Sequence, residues 1–374
     1  MERVAPTTAL GKLLGWCASQ NATDLHAQAA RRYAYRVDGR LLRIAPETFP
    51  IPANDDLIQM LHSAFSSSIY DRIEKHHETD LSFLCGEVRY RANFSKQQGL
   101  QSFSLRVVPQ RIPHLDDLQL PATVGTLIQE TRGLLLVTGA SGQGKSTTAC
   151  ALLQQLNESK SLRIVTIEDP IEYLFEERLC QFEQREVGVD TDSFAAGIRN
   201  AMRQDPEIIF IGEIRDGDSA QAAMQAAETG HLVLATLHAD SAAEAVDRIR
   251  EFYSADEQAN ASALLARTLT AIISQRLIPS TFDRRIPCLE IMKRNLGIQE
   301  AIAHNDLHLL KGQIESSAHE GMHTFDQYLF QLYQGQRITL DTARIYANNW
   351  SKVEMESKGF VPAMPGILKP DPRF

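Results

Sequence analysis

The feature that most constrains the fold is a glycine-rich turn between an apolar strand and a helix-forming stretch. The strand is Leu134-Leu-Leu-Val-Thr138, and the turn after it, Gly139-Ala-Ser-Gly-Gln-Gly-Lys-Ser146, fits the pattern G-x-x-x-x-G-K-[ST]. Glycines let the backbone N–H groups point inward, and the following helix presents its partial positive charge to the same place. The segment therefore predicts a phosphate-binding loop at the end of a strand.

Apolar strands and helical stretches alternate after this loop. The predicted strands are 133–138, 163–167, 208–211 and 232–236, and the predicted helices are 146–156, 193–204, 219–229 and 242–252. This alternation implies a largely parallel sheet covered by helices. A long helix is predicted at 259–277, and the chain from there to about residue 349 is predicted to be mostly helical.

The residues before the loop predict a separate, smaller α+β unit. Residues 33–44 indicate a β-hairpin that turns at Asp38-Gly39, residues 55–75 have helical spacing, and residues 80–94 and 101–108 indicate strands. Prolines mark a linker between the two parts. The predicted domains are 1–108, a linker at 109–121, and an α/β domain at 122–374 with a helical C-terminal region and a loose tail.

Composition narrows the class of protein. The formal charge of −9 argues against nucleic acid as the main partner, because phosphate backbones are bound by basic surfaces. The five cysteines are scattered without a C-x-x-C pair, which indicates reduced thiols in a cytosolic protein. The apolar runs are far shorter than the roughly 20 residues needed to span a bilayer. Any membrane role is therefore expected to come through a partner.

The loop and the start of its helix are predicted to bind ATP with Mg²⁺. Lys145 should contact the β- and γ-phosphates, and Ser146 should place its hydroxyl on Mg²⁺. The predicted nucleotide-binding residues are Gly139, Ala140, Ser141, Gly142, Gln143, Gly144, Lys145, Ser146 and Thr147.

Acidic residues follow two of the later strands. Glu213 comes after the apolar run 208–211, so it should lie beside the phosphate loop and hold Mg²⁺ directly or through water. Glu168, Asp169 and Glu172 follow the strand at 163–167, and one of them is the natural general base for a water molecule aimed at the γ-phosphorus. Their positions alone do not choose among the three.

Two histidines flank the strand at 232–236. His238 follows the strand in the same way that Glu213 follows its own, and His231 precedes it. A lone histidine is usually a structural hydrogen-bonding residue. In the company of the other motifs, this region predicts a γ-phosphate sensor or a switch between nucleotide states.

Together these motifs resemble those of a known family. The segments are Gly139-Ala-Ser-Gly-Gln-Gly-Lys-Ser-Thr-Thr148, Thr166-Ile-Glu-Asp-Pro-Ile-Glu-Tyr173, Gly212-Glu-Ile-Arg-Asp216 and Ala235-Thr-Leu-His-Ala239. Their order and spacing are similar to the Walker A, Asp, Walker B and His boxes of the secretion ATPases of type II secretion and type IV pili. Within that family the chain resembles the PilT/PilU pilus-retraction branch. This resemblance rests on residues 184–190 and 321–327 and on the absence of a four-cysteine zinc motif from the sequence.

The resemblance implies a fold and an assembly. It implies a homohexamer whose subunits each carry an N-terminal PAS-like domain and a C-terminal RecA-like domain, with ATP near the interface between them. It also implies a cytoplasmic location at the inner-membrane face, where a pilus platform protein would be the partner.

The resemblance also implies roles for individual residues. Glu172 becomes the best candidate for the water-activating base, Glu213 supports the metal, and His231 and His238 occupy the His-box region. Arginines of the N-terminal domain approach the nucleotide in such proteins, and Arg89, Arg91 and Arg106 lie in the matching stretch. A cationic finger of this kind stabilises transition-state charge.

One segment departs from the family pattern. Retraction motors of the PilT type carry a C-terminal Ala-Ile-Arg-Leu-Ile-Arg motif, whereas residues 297–305 here contain no arginine. The departure favours a PilU-like protein that assists a second retraction ATPase in twitching motility. The alternatives are an ATPase that powers export in a secretion or conjugation system, and a nucleotide-gated assembly subunit with little turnover.

Overall fold

The computed structural model describes residues 2–37, 40–108, 111–282 and 284–350. The predicted Asp38-Gly39 turn, residues 109 and 110 of the predicted linker, and the predicted loose tail after residue 350 lie outside these ranges. The chain divides into two compact units, Met1–Arg111 and Ile112–Phe374. The division falls inside the segment predicted as a linker.

The smaller unit has, within the described residues, one seven-stranded sheet and three helices. The strands are β1 (Glu2–Val4), β2 (Asp24–Gln28), β3 (Ala34–Val37), β4 (Arg40–Arg43), β5 (Glu78–Cys85), β6 (Val88–Gln97) and β7 (Leu100–Val107), and the helices are α1 (Ala9–Ser19), α2 (Asn54–Ala64) and α3 (Ser67–Lys75). The strand order is β1-β5-β6-β7-β2-β3-β4. β1 pairs with β5 in parallel, and the other pairs are antiparallel.

Two of the elements predicted for this unit are interrupted. The predicted helix at 55–75 is two helices, because the backbone of Phe65 is extended and α3 begins after Ser66. The N–H of Ser66 donates to Glu2 Oε1 at 2.7 Å, so a contact from β1 fixes the bend. The predicted strand at 80–94 is the hairpin of β5 and β6.

The larger unit is built on a second seven-stranded sheet within the described residues. Its elements are α4 (Ala122–Leu127), β8 (Gly133–Thr138), α5 (Lys145–Ser159), β9 (Arg163–Glu168), β10 (Gln181–Glu186), α6 (Phe194–Ala201), β11 (Ile208–Ile211), α7 (Gly217–Glu228), β12 (Leu232–Leu237), α8 (Ala242–Glu251), α9 (Gln258–Thr268), β13 (Leu269–Pro279), β14 (Arg285–Lys293), α10 (Leu296–Ala303), α11 (Leu307–Ser316), α12 (Phe325–Gln334) and α13 (Leu340–Tyr346). The strand order is β10-β9-β11-β12-β8-β13-β14, and every pair is parallel except β13 with β14. None of the helices in the described ranges has the length and apolar character to cross a membrane.

Helices cover both faces of this sheet. Side chains of β8 alternate between two apolar cores, with Leu134 and Leu136 in one and Leu135 and Val137 in the other. A strand buried on both faces reads as a continuous apolar run, which is why the runs in the sequence identified the central strands. The four predicted strands β8, β9, β11 and β12 each begin at the predicted residue.

The prediction of one long helix at 259–277 is wrong. The helix α9 ends at Thr268, and the chain continues directly into β13, which pairs with β8 on one side and β14 on the other. The segment contains the β-branched residues Thr270, Ile272 and Ile273, which fit a buried strand. Apolar periodicity does not separate a buried strand from a buried helix, and here pairing with β8 decides the structure.

Parallel strands bring the sequence motifs to one edge of the sheet. β9, β11, β12 and β8 are adjacent and run in the same direction, so their carboxyl ends lie side by side. Thr138 leads into the phosphate loop at that edge, Glu168 ends β9, and Glu213 and His238 follow β11 and β12.

The segment 321–327 packs the C-terminal helices onto this unit. His323 exchanges two backbone hydrogen bonds with Ile291 of β14. Thr324 caps α12 in a reciprocal box with Gln327. The His323 ring is buried and stacks on Tyr328, with 4.7 Å between the ring centroids. Burial lowers the pKa of His323 to about 4.

We predict that His323 makes the protein sensitive to mild acid. Its pKa is lower in the folded protein than in the unfolded chain. The contribution of His323 to the unfolding free energy is therefore fully present above the unfolded pKa of about 6.5, and it is lost as pH falls towards 4. Between pH 7 and pH 5 the wild type should lose about 2 kcal/mol of unfolding free energy relative to His323→Phe. Urea unfolding at both pH values measures this difference.

The exposed His319 supplies the matched control. The difference between His319→Asn and the wild type, measured at both pH values, gives the effect of removing a surface histidine. A difference for His323→Phe that changes no more between pH 7 and pH 5 than the His319→Asn difference would contradict the prediction, whatever fixed cost the larger ring adds.

Candidate active site

The phosphate loop joins two buried elements through glycines with positive φ angles. The φ angles of Gly139, Gly142 and Gly144 are +148°, +75° and +82°, and α5 begins at Lys145. Residues with a Cβ rarely adopt such angles. A Cβ on Gly139 would also lie 2.4 Å from the carbonyl oxygen of Gln275. The turn therefore favours glycine at all three positions, and the close contact with β13 also requires it at Gly139.

Two glutamines fasten the loop to β13. Gln275 is buried, and its Nε2 donates to the Gln143 carbonyl oxygen at 2.7 Å while its Oε1 accepts from the Thr148 hydroxyl at 2.8 Å. In return, Gln143 Oε1 accepts from the Leu277 N–H at 2.6 Å. These bonds fix the loop and the first turn of α5 against the neighbouring strand.

Lys145 lies folded over the loop. Its Nζ is 2.9 Å from the Gly139 carbonyl oxygen, 3.0 Å from that of Ala140 and 3.4 Å from His238 Nδ1. Burial lowers the pKa of Lys145, and the nearby carboxylates of Glu213 and Glu172 oppose that shift. The predicted acids of both motifs are thus within electrostatic range of the lysine.

A chain of polar contacts runs from Lys145 across the sheet edge. His238 Nε2 lies 2.6 Å from Glu213 Oε1, and Glu213 Oε2 accepts from Arg215 Nε at 2.6 Å. Arg215 Nη1 then donates to Asp169 Oδ2 at 2.9 Å. With the lysine donating to His238 Nδ1, the tautomer that fits carries its proton on Nε2 and donates to Glu213. The residues after β9, β11 and β12 therefore form one network.

The three acids after β9 have different surroundings. Glu168 is buried, and its carboxylate accepts from the Thr166 hydroxyl at 2.7 Å and from the Glu172 N–H at 3.3 Å. Burial raises the pKa of Glu168 to about 7. Asp169 and Glu172 are both exposed, but the Asp169 carboxylate is paired with Arg215. Glu172 thus has the carboxylate that is open to a water molecule.

The remaining loop residues face outward or support the helix. Ala140, Ser141 and Gly142 are exposed, and Ser146 is half-buried in the first turn of α5. The hydroxyl groups of Thr147 and Tyr173 lie 3.2 Å apart, so α5 is tied to the acidic segment.

A small cavity opens beside the loop. Its volume is about 210 Å³, and it is lined by Gly144, Thr147, Thr148, Gln275 and Leu277 together with residues 117–119 and 284–287. A concave space next to a phosphate loop offers room for the part of a nucleotide that is not phosphate.

The structure does not bring His231 into this network, which corrects the predicted set. His231 precedes β12, whereas His238 follows it, and the six residues between them extend about 20 Å. His231 Nδ1 instead lies 3.1 Å from the Ala226 carbonyl oxygen at the end of α7. In this chain His231 caps the end of α7 and does not reach the phosphate loop.

The three predicted arginines belong to the smaller unit. Arg89 is buried, Arg91 is exposed, and Arg91 is paired in register with Arg106 of β7. Arg106 Nε donates to Asp24 Oδ1 at 2.7 Å, although most of its side chain is exposed. Burial alone would raise the pKa of Asp24, but the hydrogen bonds from Arg106 and Thr23 lower it overall.

Two contributors to the site were not assigned from sequence. Arg215 lies within the motif at residues 212–216. An arginine that closely follows an acid at the end of a strand is a pattern from which its pairing with that acid could have been predicted. Gln275 had no signal of this kind, because its partners are 127 and 132 residues away in the chain.

The chain resembles known proteins over most of its length. Residues 10–354 match the family described as type II/IV secretion system protein. The type IV pilus retraction ATPase PilT of Pseudomonas aeruginosa strain PAO1 is 36% identical over 334 residues, which are 89% of this chain and 96% of that protein. The type IV pilus ATPase PilU of the same strain is 34% identical over 348 residues, which are 93% of this chain and 91% of that protein.

A solved structure agrees with these matches. The crystal structure of the pilus retraction motor PilT with bound ADP has a TM-score of 0.85 and 35% identity, and covers 93% of this chain and 99% of that one. The predicted fold class, a RecA-like P-loop ATPase domain after a smaller α+β, PAS-like domain, is thereby confirmed, as is the resemblance to PilT/PilU-type ATPases. The protein therefore belongs to the type II/IV secretion system protein family of ATP-hydrolysing enzymes.

Proposed function

We propose that this protein is a motor that hydrolyses ATP with Mg²⁺ to power type IV pilus retraction and twitching motility. The observation that carries the proposal is the single polar network joining Lys145, His238 and Glu213 at the carboxyl edge of the sheet, in a chain that spans almost all of a retraction ATPase. Such an edge is where α/β proteins bind their ligands.

We propose the roles of the site residues from their surroundings. Residues 139–147 cradle the phosphates, and the nucleoside part enters the cavity beside Thr147. Glu172 takes a proton from the attacking water as the water oxygen bonds to the γ-phosphorus. The bond between the γ-phosphorus and the bridging oxygen breaks, and ADP and phosphate leave. His238 senses the γ-phosphate, because it lies between Lys145 and Glu213.

Mg²⁺ fits the donors present. The ion prefers oxygen ligands, and the hydroxyl of Ser146 and the largely buried carboxylate of Glu213 supply them next to the phosphates. When bound, Mg²⁺ neutralises charge on the phosphate oxygens. Glu213 keeps its orientation through the hydrogen bond from Arg215.

The proposed assembly follows the resemblance. It is a homohexamer of subunits divided at 1–108, 109–121 and 122–374, located at the cytoplasmic face of the inner membrane against a pilus platform protein. Changes of nucleotide state around the ring would drive pilin back into the membrane. The lack of arginine in residues 297–305 supports an accessory role beside a second retraction ATPase.

We predict that Lys145→Ala abolishes ATP binding and that Glu172→Gln lowers kcat by about 100-fold or more with little change in KM. The lysine supplies ground-state contacts with phosphate, whereas the glutamate acts on water during the reaction. Phosphate release and nucleotide titration measure the two effects, and circular dichroism verifies folding.

Two variants of the same segment sharpen this test. Glu176→Gln changes another exposed glutamate four residues away and should keep wild-type turnover. Asp169→Asn should weaken turnover less than Glu172→Gln, because Asp169 acts through Arg215. Full turnover in Glu172→Gln, or a larger loss in Asp169→Asn, would remove Glu172 as the base.

We also propose that arginines of residues 89–106 stabilise the transition state. Arg106→Ala should lower kcat by about 10³-fold while nucleotide affinity stays nearly constant. Arg43→Ala removes an exposed arginine from β4 and is the matched control. Equal losses of affinity and rate would show that Arg106 is not a transition-state contact. The same measurements on alanine variants of Arg89 and Arg91 would then identify the arginine that contacts the transition state.

The host supplies the test of the motor itself. Deletion of the gene should increase the number of surface pili and reduce twitching, and the wild-type gene but not its Lys145→Ala form should restore both. Unchanged pili with reduced export of a secreted protein would instead establish the secretion alternative.

A further inference from the structure

Arg276 makes contacts that the proposed mechanism does not use. It follows Gln275 on β13, so its side chain lies on the opposite face of the strand from the one that fastens the phosphate loop. Its Nη2 donates to the Asp240 carbonyl oxygen at 3.2 Å, and its Nη1 donates to Asn348 Oδ1 at 3.3 Å. One guanidinium thus touches two segments that are more than a hundred residues apart in the chain.

The first of these segments carries His238. Asp240 is two residues after the histidine, and the Ala242 N–H donates to Glu290 Oε1 of β14 at 2.8 Å. Burial raises the pKa of Glu290, and the Ala242 N–H and the Arg276 charge partly oppose that shift. Side chains of β13 and β14 therefore hold the backbone directly after His238 at two points.

The second segment is the end of the described chain. The Arg276 guanidinium lies over the ring of Phe325, with 4.1 Å between its central carbon and the ring centroid. Asp326 accepts hydrogen bonds from the N–H groups of Asn348 and Asn349 at 2.7 and 3.2 Å. The start of α12 and the chain at residue 348 are thus gathered around the same arginine.

We propose that Arg276 is a positioning residue for His238 and that it makes the segment around Asn348 part of the support of the active site. A planar guanidinium can donate in two directions while stacking on a ring, which a lysine ammonium does not reproduce. The inference rests on the proposed function, in which His238 responds to the γ-phosphate. The chain after α13 would thereby influence turnover without touching the nucleotide.

A double-mutant cycle tests whether Arg276 acts through His238. Arg276→Gln should lower kcat for ATP about 10-fold with KM changed less than about 2-fold, because a shifted histidine costs rate and the phosphate loop keeps its own fastening to Gln275. In a His238→Asn background the same change should have no further effect. An undiminished 10-fold loss in that background would overturn the proposal.

The matched control is Arg248→Gln. Arg248 also lies over a phenylalanine, Phe252, but on the outer side of α8. It should keep the kcat and KM of the wild type. A loss of kcat in Arg248→Gln equal to that in Arg276→Gln would mean that removing any such stacked arginine has the same effect, and would also overturn the proposal.

Hydrogen exchange tests the positioning without any turnover. Backbone exchange in peptides covering residues 239–245 should be about 10-fold faster in Arg276→Gln and faster to a lesser extent in Asn348→Ala, while peptides of α5 stay unchanged. Unchanged exchange at 239–245 in Arg276→Gln would overturn the inference. If the wild type itself hydrolyses no ATP, the proposed function is wrong. The hydrogen-exchange measurement then decides by itself whether Arg276 positions residues 239–245.

Discussion

The site depends on the fastening of the phosphate loop to β13. A glycine-rich loop has more conformational freedom to lose than other segments, so its N–H groups point at one place only if something outside the loop holds it. Here the backbone of Gln275 lies so close to Gly139 that a side chain would not fit between them, and the paired amides of Gln143 and Gln275 satisfy the polar groups that the turn leaves open. The anion cradle is thus preorganised by a neighbouring strand, and the loop sequence supplies the shape that allows the contact.

Charged groups of opposite sign lie next to one another around that cradle. Burial disfavours the charged form of Lys145, and the acids that face it compensate. His238 bridges the lysine and Glu213, and Arg215 joins Glu213 to Asp169. A γ-phosphate carries negative charge into this set and competes with these acids for the cations. In the proposed function its presence or loss would rearrange the contacts of His238 and Glu213, which would give a physical route from nucleotide state to conformation.

The sequence predicted the central strands and the sheet edge because both follow from local patterns. The strands β8, β9, β11 and β12 are uninterrupted apolar runs, and strand direction alone places Glu213 and His238 at the carboxyl edge. The same reasoning from direction places His231, which precedes its strand, at the opposite edge. β13 was missed because its apolar run continues from a helix, and pairing with β8 is a long-range property. The surroundings of Glu168, Asp169 and Glu172 depend on Arg215 and on packing, so the sequence left those three acids open.

β13, one of the strands that the sequence analysis did not predict, connects the parts of the site. Successive residues of a strand face opposite sides, so Gln275 can hold the phosphate loop while Arg276 holds the segment after His238. One residue earlier, the Ser274 hydroxyl accepts from the Thr138 hydroxyl at 2.9 Å and joins β13 to the strand that enters the loop. Ser274, Gln275 and Arg276 thus hold the phosphate-binding turn and the segment after His238 against the same strand. Because β13 also pairs with β14, and β14 with the segment at His323, a displacement of the C-terminal helices against the sheet would act on both parts of the site together.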